Sequence, residues 1–582
     1  MSALLQIIDL SFSRGHHPLF EQLSLTINAG ERVGLVGHNG CGKSSLLSLI
    51  SGNEDPDSGE IRTPRGLKIA FVEQFVPQSL MQQSLLQGAL DVFSHEDIPS
   101  MGWMAESQLL GLGFTEAQFS IPVRGLSGGQ QNLLLIARAL LQEPELLLMD
   151  EPGNHMDILA MSQLERFLGE QCQCPFLIIS HDRHLLNKVC TKTVFIRDKR
   201  SYAFELPYDA AAERLEEHDQ QASKHRELEE KEIKRLKATA KRLAIWGREH
   251  DNESLSKKAK SIEKRAAKLD EEKTEVSAGS TLNLQLDNLN LSARQILTLE
   301  EAVIYTPDQS RQLLSIDHIV IRPGDRVAIL GANGVGKSSL LETIRKQFSE
   351  TEKSSGSIRF NPRTTLGYFD QGLESVDVPQ SRSTWLSQQT ESNNDEIKKT
   401  LINSGVSYQD FSRKVDSLSG GEKARMVFMA LQLNRPTLMI LDEPTNHIDL
   451  FGKQQLCDQL EASGATLLIT SHDRYFLDQI ATRWLWINEG VLQEIHDSDT
   501  FYTSLKRAIL PPNVDKNELV KPLDSDAGST TLSEDTILQR IDMLENKLLA
   551  DQKRKIKNQK PILQQEWQEE LTSLWSQLDS AD

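Results

Sequence analysis

The feature that most constrains this chain is an internal duplication with a long period. Four motifs occur twice in the same order: GHNGCGKSS and GANGVGKSS, LSGGQ and LSGGE, LLLMDEP and LMILDEP, and ISHDR and TSHDR. Equivalent residues, such as Gly37 and Gly331 or His181 and His472, lie 291 to 294 positions apart. A repeat of that length is a whole domain, so the sequence predicts two copies of one domain.

Each copy has the pattern of an α/β domain. Short apolar runs precede the motifs, and such runs are typical of strands buried on both faces of a sheet. The runs are 32–36, 146–149 and 177–179 in the first copy, and 438–441 and 467–469 in the second. Helical periodicity follows at 44–50, 133–140 and 426–433. The predicted fold class is therefore α/β, and polar residues at the strand ends lie where open α/β sheets bind ligands.

Composition narrows the class of protein. The chain has 582 residues, of which 38% are hydrophobic, and a formal net charge of −19. This acidic balance excludes a general nucleic-acid coat, so any contact with nucleic acid must come from a local basic patch. No apolar run reaches the roughly 18 residues of a membrane span, and the N-terminus lacks a secretory signal pattern. We expect a cytoplasmic protein without a membrane-inserted segment.

A glycine-rich loop precedes a helix in both copies with the spacing G-x-x-x-x-G-K-S of a P-loop. Glycines let the backbone wrap around phosphate oxygens, and the N–H groups of the helix N-terminus attract the anion. The lysine reaches the β- and γ-phosphates and the serine hydroxyl binds Mg²⁺. The pattern predicts two sites for ATP with Mg²⁺. The phosphate-binding residues would be Gly37, Asn39, Gly40, Gly42, Lys43, Ser44 and Ser45 in the first copy, and Gly331, Asn333, Gly334, Gly336, Lys337, Ser338 and Ser339 in the second.

An Asp-Glu pair ends one strand of each copy, and a histidine follows the next strand. The aspartate can hold Mg²⁺ directly or through water, and the glutamate can act as the general base that polarises the attacking water. The histidine can hydrogen-bond to the γ-phosphate. The predicted metal ligands of this group are Asp150 and Asp442, and the predicted catalytic residues are Glu151, Glu443, His181 and His472.

A Ser-Gly-Gly turn opens a helix between the P-loop and the Asp-Glu pair of each copy. In this position it resembles the signature motif of ATP-binding cassette (ABC) proteins. That resemblance implies two cassettes that pair head to tail within one chain, so that the signature of one cassette completes the ATP site of the other. The signature residues are Ser127, Gly128, Gly129 and Gln130 in the first copy, and Ser419, Gly420, Gly421 and Glu422 in the second.

The resemblance also implies how the sites are composed. Lys43 and Glu151 would work with the second signature, and Lys337 and Glu443 with the first. Two glutamines match the glutamine loop of the superfamily and complete the implied Mg²⁺ ligands, which are Ser44, Asp150 and Gln74 in one site and Ser338, Asp442 and Gln371 in the other. Two aromatic residues upstream are candidates to stack on adenine, with core packing as an equal alternative for both, namely Phe12 and Tyr305.

The segment between the copies is basic and helical in pattern. Residues 231–268 contain 13 Lys and Arg against five Asp and Glu. Two apolar stripes with helical spacing predict an antiparallel helix pair of about 30 to 50 Å, separated by a turn at 247–254. The stripes are Ile233, Leu236, Ala240 and Leu243, followed by Leu255, Ala259, Ile262, Ala266 and Leu269. Trp246 and Arg248 lie at the predicted tip.

EPTNHID at 443–449 and SHDRYFL from Ser471 onward resemble the ABC-F family of tandem, translation-associated ATPases, over roughly residues 1–510. This resemblance implies an ATPase that binds the ribosome, with the basic linker near tRNA or rRNA. ATP would close the cassettes and hydrolysis would reopen them, either in a general translation factor or in a ribosome-protection protein. The chain would pair its own cassettes as a monomer. Two alternatives remain: a cytosolic ATPase subunit of a transporter with a separate permease, and a DNA-maintenance ATPase.

These patterns divide the chain into five parts. We expect a first ABC ATPase domain at 1–206, a charged helical linker at 207–280, a second ATPase domain at 281–510, a flexible acidic linker at 511–533 and a helical hairpin tail at 534–582. The tail has RNA contact and plain packing as equal alternatives. Gly153 stands where the second copy has Thr445, next to the expected domain interface, so we expect unequal hydrolysis at the two sites.

Overall fold

The apolar runs form the parallel central strands of two larger sheets in the computed structural model of the chain, and each of these sheets also contains antiparallel pairs. The structure describes residues 2–15, 17–73, 75–94, 98–154, 156–249, 253–271, 293–306, 308–349, 357–446, 448–509 and 571. The chain divides into two units, Met1–Leu510 and Pro511–Asp582. The acidic linker and helical tail predicted within the second unit lie outside the described residues, apart from Leu571, and stay predictions.

The first cassette has a six-stranded sheet and a three-stranded sheet. Its strands are β1 (Ala3–Arg14), β2 (His17–Asn28), β3 (Arg32–Gly37), β4 (Ser58–Arg62), β5 (Ile69–Val72), β6 (Leu146–Asp150), β7 (Phe176–Ile179), β8 (Lys192–Arg197) and β9 (Arg200–Phe204). The larger sheet has the order β5-β6-β7-β3-β8-β9. Its neighbours are parallel except β8 and β9. The smaller sheet, β2-β1-β4, is antiparallel.

Strand β6 shows why the central runs are wholly apolar. Leu146 and Leu148 belong to a core shared with helix α1 and the smaller sheet. Leu147 and Met149 belong to the core on the other face, under the remaining helices. Since successive side chains alternate between faces and both faces are covered, every position must be apolar. The helices are α1 (Lys43–Ile50), α2 (Leu85–Leu90), α3 (Ile98–Gly111), α4 (Gly128–Leu140), α5 (Ile158–Arg166) and α6 (Arg183–Val189).

The linker is a helical hairpin, as its periodicity predicts. Helix α7 (Tyr208–Glu249) and helix α8 (Glu253–Glu271) pack against each other. Four stripe residues are buried, namely Ile233, Ala240, Ala259 and Ala266. At ~1.5 Å per residue the 42 residues of α7 span about 63 Å, which exceeds the expected length because the helix begins well before the stripe.

The helices also extend further into the predicted turn than their sequence indicates. Helix α7 continues to Glu249 and α8 begins at Glu253, so both occupy positions of the turn-prone segment 247–254. Residues 250–252 lie outside the described part of the chain, as do the side chains of Trp246 and Arg248. The role of those two side chains at the tip therefore stays a prediction.

The second cassette repeats the first around one nine-stranded sheet of order β13-β10-β11-β18-β17-β12-β16-β15-β14. Its strands are β10 (Leu297–Tyr305), β11 (Gln312–Ile321), β12 (Arg326–Leu330), β13 (Ile358–Phe360), β14 (Leu366–Phe369), β15 (Leu438–Asp442), β16 (Thr466–Thr470), β17 (Arg483–Asn488) and β18 (Val491–Ile495). Its helices are α9 (Lys337–Ser349), α10 (Arg382–Gln389), α11 (Asn394–Asn403), α12 (Gly420–Asn434), α13 (Leu450–Ser463), α14 (Arg474–Ile480) and α15 (Ser498–Ile509).

The two cassettes pack against each other through the start of α13. Leu450 is buried in the core of the first cassette. The ring of Phe451 lies 4.9 Å from His38 and 6.3 Å from Phe195. In return, Ile158 at the start of α5 packs against the core of the second cassette. The exchanged residues follow the two NH-x-D loops, so the loops lie at the interface.

No helix within the described ranges is both long enough and apolar enough to cross a membrane.

Candidate nucleotide sites

The first P-loop connects β3 to α1 with the geometry that its motif predicts. Gly42 precedes α1 with φ of 97°. A Cβ atom there would lie 2.7 Å from the ring of Phe20, so the position requires glycine. Lys43 Nζ donates to the carbonyls of Gly37 at 2.8 Å and His38 at 3.2 Å. An ammonium group has three donors, so it retains capacity for a phosphate oxygen.

The second P-loop repeats this arrangement between β12 and α9. Lys337 Nζ donates to the carbonyls of Gly331 at 2.8 Å and Ala332 at 3.0 Å. Gly336, at the position of Gly42, has φ of 105°. Both loops therefore have the strand–loop–helix context that a P-loop requires, with the helix N-terminus available to an anion.

The strand-end aspartates lie beside hydroxyl groups. The Ser44 hydroxyl hydrogen-bonds to Asp150, so a predicted P-loop metal ligand and a predicted strand-end ligand are in contact. Burial raises the pKa of Asp150, and this hydrogen bond offsets only part of the increase. In the second cassette, Thr470 Oγ1 donates to Asp442 Oδ1 at 2.5 Å. Oxygen ligands of this kind suit Mg²⁺.

The first Glu-His pair is in direct contact. His181 Nε2 lies 3.1 Å from Glu151 Oε1, and the Asn154 amide donates to the other carboxylate oxygen. Burial alone would raise the pKa of Glu151, but His181 and Asn154 outweigh it and lower the pKa to about 2. This carboxylate is therefore ionised across the physiological pH range.

The second Glu-His pair is similar in geometry and different in charge. His472 Nε2 lies 3.4 Å from Glu443 Oε1, and the His472 backbone N–H donates to Oε2 at 3.1 Å. Burial raises the pKa of Glu443 to about 7, against the lowering effect of Lys337. Burial, helped by Lys337, lowers the pKa of His472 to about 4. The two sites therefore hold their carboxylates in different protonation states near neutral pH.

One cavity of about 830 Å³ brings residues of both cassettes together. Its lining includes the first P-loop, the first Glu-His pair and the second signature, through Asn39, Gly40, Glu151, His181, Ser419, Gly420 and Gly421. It also includes most of the predicted second site, through Asn333, Gly334, Gly336, Lys337, Ser338, Ser339, Gln371, Glu443 and His472. Several predicted site residues among the described ones are not part of this lining, namely Gly37, Gly42, Lys43, Ser44, Ser45, Asp150, Ser127, Gly128, Gly129, Gln130, Gly331, Glu422 and Asp442. Gln74 lies outside the described residues.

The two signatures begin their helices with the same cap. Ser127 accepts from the Gln130 backbone N–H at the start of α4, and Ser419 accepts from Glu422 at the start of α12. A Cβ atom on Gly129 would lie 2.7 Å from that of Ala160 on α5, which explains the glycine by close helix packing. The second signature differs in carrying the charged Glu422, which pairs with Arg382 at 2.7 Å.

The two aromatic candidates for adenine stacking have different environments. Phe12 is 9% exposed and belongs to the core of the first cassette, which favours its packing role. Tyr305 ends β10 and is 48% exposed, so a flat ring remains accessible there. Stacking by Tyr305 stays a prediction.

One contact that the motifs did not predict joins the cassettes at the first P-loop. Asp449 Oδ2 accepts from the Asn39 backbone N–H at 3.1 Å and lies 3.4 Å from His38 Nδ1. Burial opposes ionisation of Asp449, but His38 and backbone N–H groups hold its pKa well below the usual range. Its counterpart Asp157 lies close enough to Lys337 to act on its charge. Asp157 and Asp449 follow Glu151 and Glu443 at the same spacing, and this shared spacing is the sequence signal that could have pointed to them.

The substitution of threonine by glycine changes one interface loop. Thr445 Oγ1 lies 2.8 Å from Ser471 Oγ, and both side chains are buried. Gly153 cannot form this bond with Ser180, the counterpart of Ser471. A Cβ atom on Gly153 would lie 2.5 Å from Met161 Cε, the flexible end of a side chain. The difference between the loops thus supports the expectation of unequal sites.

Known proteins resemble the chain over most of its length. The ABC transporter family model matches residues 20–154 and 315–446. YdiF of Bacillus subtilis (strain 168) is 30% identical over 86% of this chain and 83% of its own. ABC transporter F family member 2 of Arabidopsis thaliana is 29% identical over 85% and 78%. The ribosome protection protein VmlR of Bacillus subtilis is 27% identical over 85% and 89%.

The fold has relatives among solved structures as well. The archaeal ribosome recycling factor aABCE1, solved with the ribosomal stalk protein aP1, matches with a TM-score of 0.56 and 17% identity over 85% of this chain and 92% of its own. Fold and sites define a tandem ABC ATPase, which binds and hydrolyses ATP. The chain belongs to the ABC-F family.

We expect the two sites to respond differently to pH. In the Glu151→Gln variant, turnover depends on Glu443. The kcat/KM of this variant should rise about tenfold from pH 6 to pH 8, because a general base with a pKa of about 7 must first lose its proton. Turnover that depends on Glu151, measured in Glu443→Gln, should change little over that range because Glu151 is already ionised. Both variants bind the same nucleotide, so protonation of the nucleotide itself affects the two pH profiles equally. Parallel profiles would contradict this difference.

Proposed function

We propose that this ATPase acts on the ribosome, and that ATP-driven closure of its cassettes positions the basic α7–α8 hairpin near tRNA or rRNA. Within this proposal, Glu151 and Glu443 are the general bases and His181 and His472 contact the γ-phosphate. Mg²⁺ is held by Ser44 and Asp150 in one site and by Ser338, Asp442 and Gln371 in the other. The proposal requires a cytoplasmic location, where ribosomes and ATP meet.

The observation that carries the proposal is the position of Arg183, two residues after His181. Its Nε donates to Asp209 on α7 at 2.5 Å, and its Nη1 donates to Gln454 of the second cassette at 3.1 Å. Its guanidinium also lies 3.9 Å from the ring centre of Tyr475. One side chain thus joins the loop of a predicted catalytic histidine, the base of the linker and the opposite cassette.

A second ion pair fixes the base of α7 to the first cassette. Arg197 at the end of β8 donates two hydrogen bonds to Asp219, at 2.6 and 2.5 Å. A bidentate pair of this kind constrains orientation as well as distance. A rotation of the first cassette would therefore carry α7 with it, which supports a mechanical link between nucleotide state and linker.

The chemistry of the hairpin surface supports RNA as its partner. Basic side chains are exposed on both helices and include Lys234, Lys241 and Arg242 on α7 and Lys258, Lys260, Lys264 and Arg265 on α8. Such groups bind the phosphate backbone by displacing its counterions. The ribosome protection protein VmlR, a relative over most of the chain, adds support for the ribosome as the source of that RNA.

The proposed boundaries of the parts remain those of the sequence reading. We propose ATPase domains at 1–206 and 281–510, a charged helical linker at 207–280, a flexible acidic linker at 511–533 and a helical hairpin tail at 534–582. Because Arg183 and Lys453 join the two cassettes of one chain, the pairing needs no second copy and the proposed state is a monomer.

The double variant Glu151→Gln/Glu443→Gln tests the partner. It should bind ATP without hydrolysing it, remain closed, and co-migrate with ribosomes on a sucrose gradient containing ATP. The unmodified chain should co-migrate far less, because hydrolysis releases it. Co-migration with membranes would instead favour the transporter alternative, and co-migration with nucleoid DNA would favour the DNA-maintenance alternative.

Charge reversal on the hairpin tests the surface. Lys257→Glu/Lys258→Glu/Lys260→Glu in the double variant should reduce ribosome pelleting about tenfold or more, because phosphate contacts become repulsive. The matched control reverses three exposed lysines of the second cassette, Lys346, Lys398 and Lys399, and should pellet almost normally. Equal pelleting of the two triple variants would contradict RNA binding by α8.

Removal of the Arg183 contacts tests the mechanical link. Arg183→Ala in the double variant should retain ATP but lower the fraction that co-migrates with ribosomes several-fold. Arg474→Ala is the matched control, because Arg474 makes the equivalent contacts to the C-terminal helix of the second cassette, with Asp499 at 2.9 Å and the Tyr502 ring at 4.1 Å. The link is refuted when both variants lose ribosomes equally or neither does.

A further inference from the structure

A buried lysine joins the two predicted catalytic loops across the cassette interface. Lys453, on α13 of the second cassette, donates its Nζ to the backbone carbonyl of His181 in the first cassette at 2.8 Å. The same Nζ donates to Asp473 Oδ2 in its own cassette at 2.7 Å. The side chains of Lys453 and Asp473 are 14% and 9% exposed, so water competes little for these bonds.

The carboxylates around the Lys453 ammonium group favour a cation there. Asp182 of the first cassette and Asp473 of the second are equivalent residues that follow the two predicted catalytic histidines. Each caps the helix that begins after it, α6 or α14. Burial and the charge of Asp473 raise the pKa of Asp182 to about 6, and Lys453 opposes that increase. Asp473 is buried and Asp182 is half-buried, and two carboxylates that act on each other across the interface are stabilised by a compensating positive charge, which Lys453 supplies.

The first cassette has no lysine at the position equivalent to Lys453. Lys453 lies eight residues after Thr445, and Met161 lies eight residues after Gly153. A thioether cannot donate a hydrogen bond. The carbonyl of His181 is therefore held by a cation from the opposite cassette, whereas Met161 cannot hold the carbonyl of His472 in the same way.

We propose that Lys453 is a positioning residue for hydrolysis at the first site, supplied by the second cassette. It fixes the backbone of His181, whose imidazole lies 3.1 Å from Glu151. Separation of the cassettes removes this support, so the first Glu-His pair reaches its working geometry only in the closed state. This inference rests on the roles given to Glu151 and His181 in the proposed function.

Lys453→Met, which gives both cassettes the same residue, tests the assignment. Single-turnover hydrolysis at the first site, isolated by Glu443→Gln, should fall about 10- to 100-fold in kcat, because small displacements of catalytic groups have effects of this size. The KM for ATP should change far less, since the P-loop is untouched. At the second site, isolated by Glu151→Gln, kcat should change less than about threefold, and Lys453→Arg should recover most of the loss at the first site.

A matched control removes a lysine ion pair that does not cross the interface. Lys188, on α6 directly after the His181 loop, pairs with Glu165 of the same cassette at 3.1 Å. Lys188→Met should leave kcat at both sites almost unchanged. An equal loss at both sites in Lys453→Met, a change in KM alone, or no loss would each overturn the proposal.

Folding and catalysis can be separated by a second variant. Lys453→Met/Asp473→Asn removes the buried cation together with one carboxylate, and asparagine still caps α14. It should fold and show the same selective loss at the first site.

When Glu151→Gln fails to abolish turnover at the first site, the proposed roles are wrong whatever Lys453 does. When Glu151→Gln abolishes it and both Lys453 variants turn over normally, only the present inference is wrong.

Discussion

Burial of acidic groups where the two cassettes meet is the constraint on which the sites depend. The carboxylates of Asp150, Asp442 and Glu443 lie at strand ends and are nearly excluded from water. An isolated buried carboxylate is costly, so each must find a cation, a hydrogen-bond donor or a proton. The P-loop lysines, the histidines and hydroxyl or backbone donors of the same cassette meet this requirement in part. A Mg²⁺ ion and ATP would change that balance directly, which is how nucleotide can alter the interface.

The two sites meet this requirement differently, although their motifs are almost the same. Glu151 retains 25% side-chain exposure and has both a histidine and an asparagine as partners. The side chain of Glu443 is 5% exposed, and burial raises its pKa to about 7, so its protonated form is favoured more than that of Glu151. Gly153 in place of Thr445 removes the hydrogen bond that Thr445 forms with Ser471, and Met161 in place of Lys453 removes one bridging cation. The expected functional inequality would therefore arise from residues around the motifs rather than from the motifs themselves.

The motifs were sufficient to predict the architecture because each has a strict geometric context. Apolar runs such as 146–149 predicted buried parallel strands, and the stripe from Ile233 to Leu243 predicted half of the hairpin. The length of α7 was underestimated because its first apolar residues, Tyr208, Ala211 and Leu215, pack into the core of the first cassette, and the residues between them and the stripe are mostly polar. Arg183 and Arg197 also join the base of α7 to the first cassette, and spacing alone does not reveal these contacts.

Within the sites, the motifs named several residues that line the shared cavity, but they did not predict the contacts that join those residues. The P-loops, the Glu-His pairs and Gln371 have the contacts or the cavity position that their motifs imply. The contacts of Asp449 with the first P-loop and of Lys453 with His181 join residues more than 250 positions apart. The matching positions of Asp157 and Asp449 behind the two glutamates mark those residues, but a single sequence does not identify their partners in the other cassette. Nor does it reveal the burial that separates the pKa of Glu443 from that of Glu151.

The distance between charges explains how an acidic protein can present a surface to RNA. Most of the charged residues in the first half of α7 are acidic. The basic stretch starts at Lys231, 23 residues into the helix. At ~1.5 Å per residue that stretch begins about 35 Å from the helix start. Screening at physiological salt acts over about 8 Å, so the acidic cassettes barely reduce the local attraction for phosphate. A long helix anchored at its base therefore separates the ATP sites from the basic surface electrostatically while keeping them mechanically connected, and a short or hinged linker could not do both.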